Sequence, residues 1–221
     1  MSFSISRRCN RLRPVALCFG LVALCAAGAP CAEIIDQVVA VVEGEVITLS
    51  DLQAAVQFGL VPTGKTGDRI AEALEPWIRR RLELGEVNRY AAPEPDEAVL
   101  ARRVEMTHDR FGSPAKLAAA LAATGMSEAR LRNLIRDNLR IEQYVDQRFT
   151  AVPRPTDDEV ARYYYEHEAE LMAAGRRPSP EEAQDLARQR LAEERRRSLV
   201  TDWLDRLRRR ADVSILYGLA P

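Results

Sequence analysis

Two β-branched stretches, Val38-Val39-Ala40-Val41-Val42 and Val46-Ile47-Thr48, flank the dipeptide Glu43-Gly44. Branched Cβ atoms fit a pleated surface, and glycine supplies the positive φ that a tight hairpin turn demands. Ser50 and Gln53 then stand at the spacing of an S-x-x-Q capping box, which would close the second strand and open a helix. A hairpin feeding a helix at the head of an otherwise helical chain is a restrictive order of parts.

The 32 residues before the hairpin region read as a secretory leader. Arg7, Arg8, Arg11 and Arg13 form a basic start, and Val15 to Ala27 is an apolar run too short to span a bilayer comfortably. Cleavage after Ala32 is expected, with Gly28 as the alternative. Arg7-Arg8 raises a twin-arginine route, but Asn10 sits where that signal prefers an apolar residue. Cys31 raises a lipoprotein, but Pro30 before it is a poor lipidation neighbour; an uncleaved anchor is a further alternative. All four cysteines (Cys9, Cys18, Cys25, Cys31) fall inside the leader. The mature chain is therefore neither a disulfide scaffold nor a thiolate enzyme or metal site. Removing the four leader arginines from the 32 basic residues leaves 28 against 33 acidic ones, a balance of −5. That mild acidity argues against nucleic-acid binding, where basic excess drives counterion release. The expected address is the periplasm, with no membrane span after cleavage.

Beyond the hairpin, apolar residues recur at helical spacing. Helices are expected over Ser50–Phe58, Asp68–Tyr90 (with Pro76 kinking or restarting it), Asp96–Phe111, an alanine-rich stretch from Ser113-Pro114 to Gly125, and a long one capped by Ser127. Its stripe is Leu131, Leu134, Ile135, Asn138, Leu139, Tyr144, Val145 and Phe149. Thr156-Asp157-Asp158-Glu159 caps a helix reaching Leu171, and Ser179-Pro180-Glu181-Glu182 caps the last, Pro180–Arg210, whose charged middle should project past the core. Residues 212–217 regain strand character. A terminal strand needs an edge to pair with, and the hairpin offers one. The expected fold is mainly α, a single domain over residues 33–221, with a small mixed sheet joining the two ends.

These segments resemble the N-terminal chaperone region of SurA-type periplasmic proteins, within the SurA/PpiC/trigger-factor-like group. The similarity runs over nearly the whole mature chain: the hairpin run from Val38 to Leu52, Phe111-Gly112-Ser113 with Leu121–Arg132, Asp137–Tyr144, Thr156–Val160 with Tyr163–Tyr165, and Trp203–Arg208 running into the terminal strand. Members of that group usually carry parvulin-type prolyl isomerase domains before the long C-terminal helix. Here the gap is Gly175 to Ser179, too short for a domain, and the histidine-led and glycine-rich motifs of a parvulin site are missing. The resemblance thus implies a chaperone and no isomerase, with no catalytic residues, cofactor or metal. His108 and His167 each fall in an expected helix among charged neighbours and read as solvated.

Gly59-Leu60-Val61-Pro62-Thr63-Gly64-Lys65-Thr66 matches the P-loop pattern letter for letter. A helix rather than a strand precedes it, so the expected reading is a turn-rich connection, with a nucleotide-dependent enzyme using Lys65 as the remote alternative. In Tyr163-Tyr164-Tyr165 successive residues point about 100° apart on a helix, so at least one should be exposed. The arginine triplets at 79–81, 195–197 and 208–210 read as solvated faces paired with acids. The expected function is ATP-independent holding of unfolded exported chains, outer-membrane proteins among them, in a groove lined by Phe58, Leu60, Phe111, Tyr163 and Tyr164. Trp77 and Trp203 are expected in the core. The rival is a dedicated assembly module for one envelope partner.

Overall fold

Strands β1 (Val38–Val42) and β2 (Glu45–Thr48) form the expected antiparallel hairpin in a computed structural model that describes residues 36–64, 67–172 and 179–218. Both turn residues take positive φ, 51° at Glu43 and 81° at Gly44, the geometry that matches strand twist in a two-residue loop. The register shifts between Val38 and Ala40, and both Val39 and Ala40 end up buried. The leader lies outside the described residues.

Helix α1 spans Leu49–Gln57, and its cap differs from the one expected. Thr48 is the N-cap: its side chain accepts from the Asp51 amide, and Asp51 accepts from the Thr48 amide. Ser50 turns elsewhere and donates to the Asp36 carboxylate, leaving Gln53 exposed. The strand runs one residue into the cap, so the box slides two positions upstream. Thr48→Ala is expected to lower stability by about 1 kcal/mol, while Gln53→Ala should stay within about 0.5 kcal/mol. Urea denaturation of the two variants distinguishes the boxes.

Helices α2 (Arg69–Arg89), α3 (Glu97–Asp109), α4 (Pro114–Ala123) and α5 (Glu128–Arg148) follow, capped by Asp68, Asp96, Ser113 and Ser127. α2 continues through Pro76 unbroken. Burial of Leu74, Trp77 and Ile78 around the proline outweighs the roughly 3 kcal/mol a mid-helix proline costs. Helix α6 covers Asp157–Glu166, with the expected Thr156/Glu159 box. It stops earlier than expected: His167 is its C-cap, and a separate short α7 spans Glu168–Met172. The His167 ring stacks on Tyr163 (centroids 4.1 Å apart), with Nδ1 3.0 Å from the Tyr163 carbonyl. This local side-chain contact competes with helix continuation. It also corrects the expectation of a solvated helical His167. Residues 173–178, most of the gap between the tyrosine helix and the last helix, lie outside the described residues.

Helix α8 spans Pro180–Arg210 and opens with the expected Ser179/Glu182 box. Its C-terminal part joins the main core through Trp203 and Leu207, beside Trp77, Ile78, Leu131 and Ile135. Its N-terminal part packs Ala187 against Val160 and Tyr163 of α6 in a smaller second cluster. The charged middle bridges the two, with Arg195 paired to Glu159 and Arg196 to Asp146. Strand β3 (Val213–Ile215) then pairs with β1, giving the order β2-β1-β3. The sheet is antiparallel throughout rather than mixed, because both neighbours run opposite to β1. The described elements belong to one unit, Asp36–Pro221.

Glu83 on α2 is half-buried, and burial pushes its carboxyl up to about 7 despite Arg79 and Arg80 nearby. A carboxyl raised in the folded state binds its proton more tightly there than in the unfolded chain. Its contribution is therefore intact below about pH 4 and is lost as pH rises through 7. Glu83→Gln removes the charge, so the variant should match the parent at pH 4 and exceed it at pH 8 by up to about 3 kcal/mol. Urea melts at the two pH values test this; equal stability of both proteins at pH 8 would refute it.

Candidate functional site

The five aromatic and aliphatic residues expected in one groove fall in two places. Phe58 (1% exposed) and Leu60 are core residues at the end of α1. Phe111 is half-buried and tilts against Phe58, with centroids 5.5 Å apart. Tyr163 belongs to the second cluster, where its hydroxyl donates to Glu194 at 2.5 Å; burial and this acceptor push the phenol up to about 12. Tyr164 is half-buried and meets the exposed Tyr165 edge-on at 5.7 Å. The expectation of at least one exposed tyrosine is met by Tyr165, at 76%. Trp77 and Trp203 are buried, as expected.

The P-loop-like stretch is a connection between α1 and α2. Leu60 N–H donates to the Ala55 carbonyl and Gly59 N–H to Val56, so these amides finish α1. Gly59 has φ +59°, and a Cβ there would lie 2.7 Å from an Arg110 nitrogen. The positive φ favours glycine there, while the Arg110 side-chain end could shift to admit a Cβ. Gly64 N–H donates to the Glu72 carboxylate at 2.7 Å, and Asp68 accepts from the first amides of α2. Carboxylates thus sit where a phosphate would have to bind. Lys65 and Thr66 lie outside the described residues.

The structure shows instead a groove that aromatic-seeking misses. The chain turns after α3 through Arg110, Phe111 and Gly112, and Ser113 caps α4 with Pro114 at its first position. α4 is mostly alanine. It buries Leu117 and Ala120, half-buries Leu121, and leaves Ala118 exposed. Small side chains on α4 and the glycine turn leave a cavity of about 610 Å³ between the end of α3, α4 and the start of α5. Pro114, Leu117, Ala118 and Leu121 give it an apolar floor; His108, Asp109 and Glu128 stand around them. His108 is helical as expected but half-buried rather than solvated. Its Nε2 is sealed from solvent, has no hydrogen-bond partner, and lies 3.8 Å from a Glu128 oxygen. Leu100 and Thr107 are the buried residues of α3, and His108 stands in its last turn.

A second cavity, about 380 Å³, lies between α2, the hairpin tip and the end of α8. Its charges are already matched: buried Glu86 holds Arg89 and Arg210, and Glu45 holds Arg81. Matched ion pairs leave little for a ligand to gain. Among the described residues no group of three or more His, Asp or Glu side chains is placed to hold a metal ion. Nor is any helix there long and apolar enough to cross a membrane.

No family model matches the chain, and no curated protein matches it. Among solved structures, it is similar to one from work on the virulence factor PEB4 and the periplasmic protein Cj1289 of Campylobacter jejuni, described as two structurally related SurA-like chaperones. The similarity has a TM-score of 0.54 at 11% identity and covers 83% of this chain and all of that one. At that identity the likeness is one of fold: a helical domain of SurA-like chaperone architecture.

Proposed function

We propose that this chain holds unfolded or partly folded exported polypeptides in the periplasm, outer-membrane proteins among them, without nucleotide and without prolyl isomerase activity. The observation that carries the reading is the fold shared over 83% of the chain with a protein described as a SurA-like chaperone. The open apolar cavity between α3, α4 and α5 gives that fold a place to contact a client. Such contact is weak and reversible, because ordering an unfolded segment opposes the gain from burying it. The carboxylates at Gly64 and at the start of α2 disfavour the nucleotide-dependent alternative.

The test is light scattering from a denatured outer-membrane β-barrel protein diluted into buffer with and without the purified chain, no ATP present. Suppression of aggregation near equimolar ratio, with no isomerase activity in the same preparation, is the expected result. Unchanged scattering would overturn the holding role and turn the search to a single envelope partner by crosslinking.

A further inference from the structure

The groove between α3, α4 and α5 carries enough chemistry to name what fits it. Its floor is aliphatic, with Leu117 and Leu121 one helical turn apart and Pro114 and Ala118 beside them. Two exposed carboxylates, Asp109 and Glu128, stand at the cavity, and neither is paired with an Arg or Lys among the described residues.

Each feature excludes a class of occupant. Phosphates of a nucleic acid or nucleotide would meet two carboxylates. An acidic peptide would meet the same repulsion. A plain hydrocarbon chain would cover the leucines but offer nothing to the carboxylates. A polypeptide segment answers both. One apolar side chain rests on Leu117 and Leu121, and an adjacent Lys or Arg lies against Asp109 and Glu128.

We propose that this groove selects client segments in which an aromatic or large aliphatic residue stands next to a basic one. The proposal rests on the polypeptide-holding reading above and narrows it to one chemistry. The groove takes the side chain for its burial and the neighbour for its charge, so segments of opposite charge are discriminated against rather than merely unhelped.

The test uses the purified full chain and three short fluorescein-labelled peptides on a Gly/Ser background, with Phe-Arg, Phe-Glu or Ser-Arg at the centre, read by fluorescence anisotropy at low salt. Phe-Arg should bind about fivefold more tightly than either of the others. The double reversal Asp109→Lys/Glu128→Lys should invert the preference toward Phe-Glu. Ala118→Phe, which fills the groove from an exposed position, should weaken both Phe peptides without lowering thermal stability. Equal binding of the three peptides, or a preference untouched by the reversal, would overturn the proposal. Aggregation suppression in the same preparations separates this failure from that of the broader reading. Suppression without peptide preference overturns the groove chemistry alone. A preference that inverts, without suppression, supports the groove chemistry and overturns general holding.

Discussion

Trp203→Ala is expected to lower stability by about 3–5 kcal/mol, the largest effect of any single truncation on α8. The indole is 4% exposed and packs between Tyr144 of α5 and the C-cap Phe149, with ring centroids 6.1 and 5.6 Å away. The Arg148 guanidinium lies 5.7 Å from its centroid. Trp203 and Leu207 are the buried residues by which α8 enters the main core. Losing the larger leaves a cavity that the neighbouring rings, Tyr144 being already stacked on Tyr90, cannot collapse to fill. Leu199→Ala, one turn earlier and 40% exposed, should change stability by less than about 0.5 kcal/mol. The chain has two tryptophans, so Trp77 remains as the fluorescent reporter in urea titrations of both variants. A Trp203→Ala loss below about 1 kcal/mol would mean that α8 is not anchored there.

Arg80→Ala is expected to cost about 3–5 kcal/mol. Arg80 is 4% exposed on α2, yet its guanidinium stays charged, with burial pulling its pKa down to about 10. Its Nε donates to Asn138 Oδ1 and its Nη2 to the Leu134 carbonyl, while Asp137 lies 3.9 Å away. Asn138 in turn donates to the Leu60 carbonyl at 3.0 Å. One side chain therefore ties α2 to α5 and, through Asn138, to the loop after α1. Truncation removes the donor from two part-buried acceptors and opens space beside Trp77, whose ring lies 4.9 Å from the guanidinium. Arg80→Lys should recover less than half of the loss, because an ammonium cannot serve both acceptors with the fork of a guanidinium. Full recovery by lysine in the same denaturation series would contradict the two-acceptor arrangement.

Much of the fold was legible because its signals are local. Val38–Thr48 places two β-branched stretches around a glycine, and Ser113, Ser127, Thr156 and Ser179 all cap the helices they announce. The pairing of the last strand with the first followed from the need of a strand for an edge. What misled was competition over a few residues. Ser50 was engaged by Asp36, fourteen residues away, and so was unavailable as a cap. His167 ended α6 through a ring contact no helical pattern encodes.

The groove was legible least, for a physical reason. Large apolar side chains gain most from burial, so a search for aromatics finds the core: Phe58 and Tyr163 are such cases. A cavity is made by what is small. Gly112, Pro114 and Ala118 leave the space, and an alanine-rich helix announces its caps but not what it fails to fill.

The meeting of β3 with β1 has a consequence for the order in which a growing chain can mature. Asp212 N–H donates to the Glu43 carboxylate 169 residues earlier, and Leu216 and Tyr217 N–H groups converge on the Val39 carbonyl. In a chain that emerges N-terminus first, β1 and β2 precede β3, and their hairpin closes locally within microseconds. The other flank of β1 stays unpaired until nearly all the remaining chain has emerged, a bare strand edge through most of that passage. Unpaired edges recruit other strands, so the nascent protein itself is a substrate for protection until its last residues arrive.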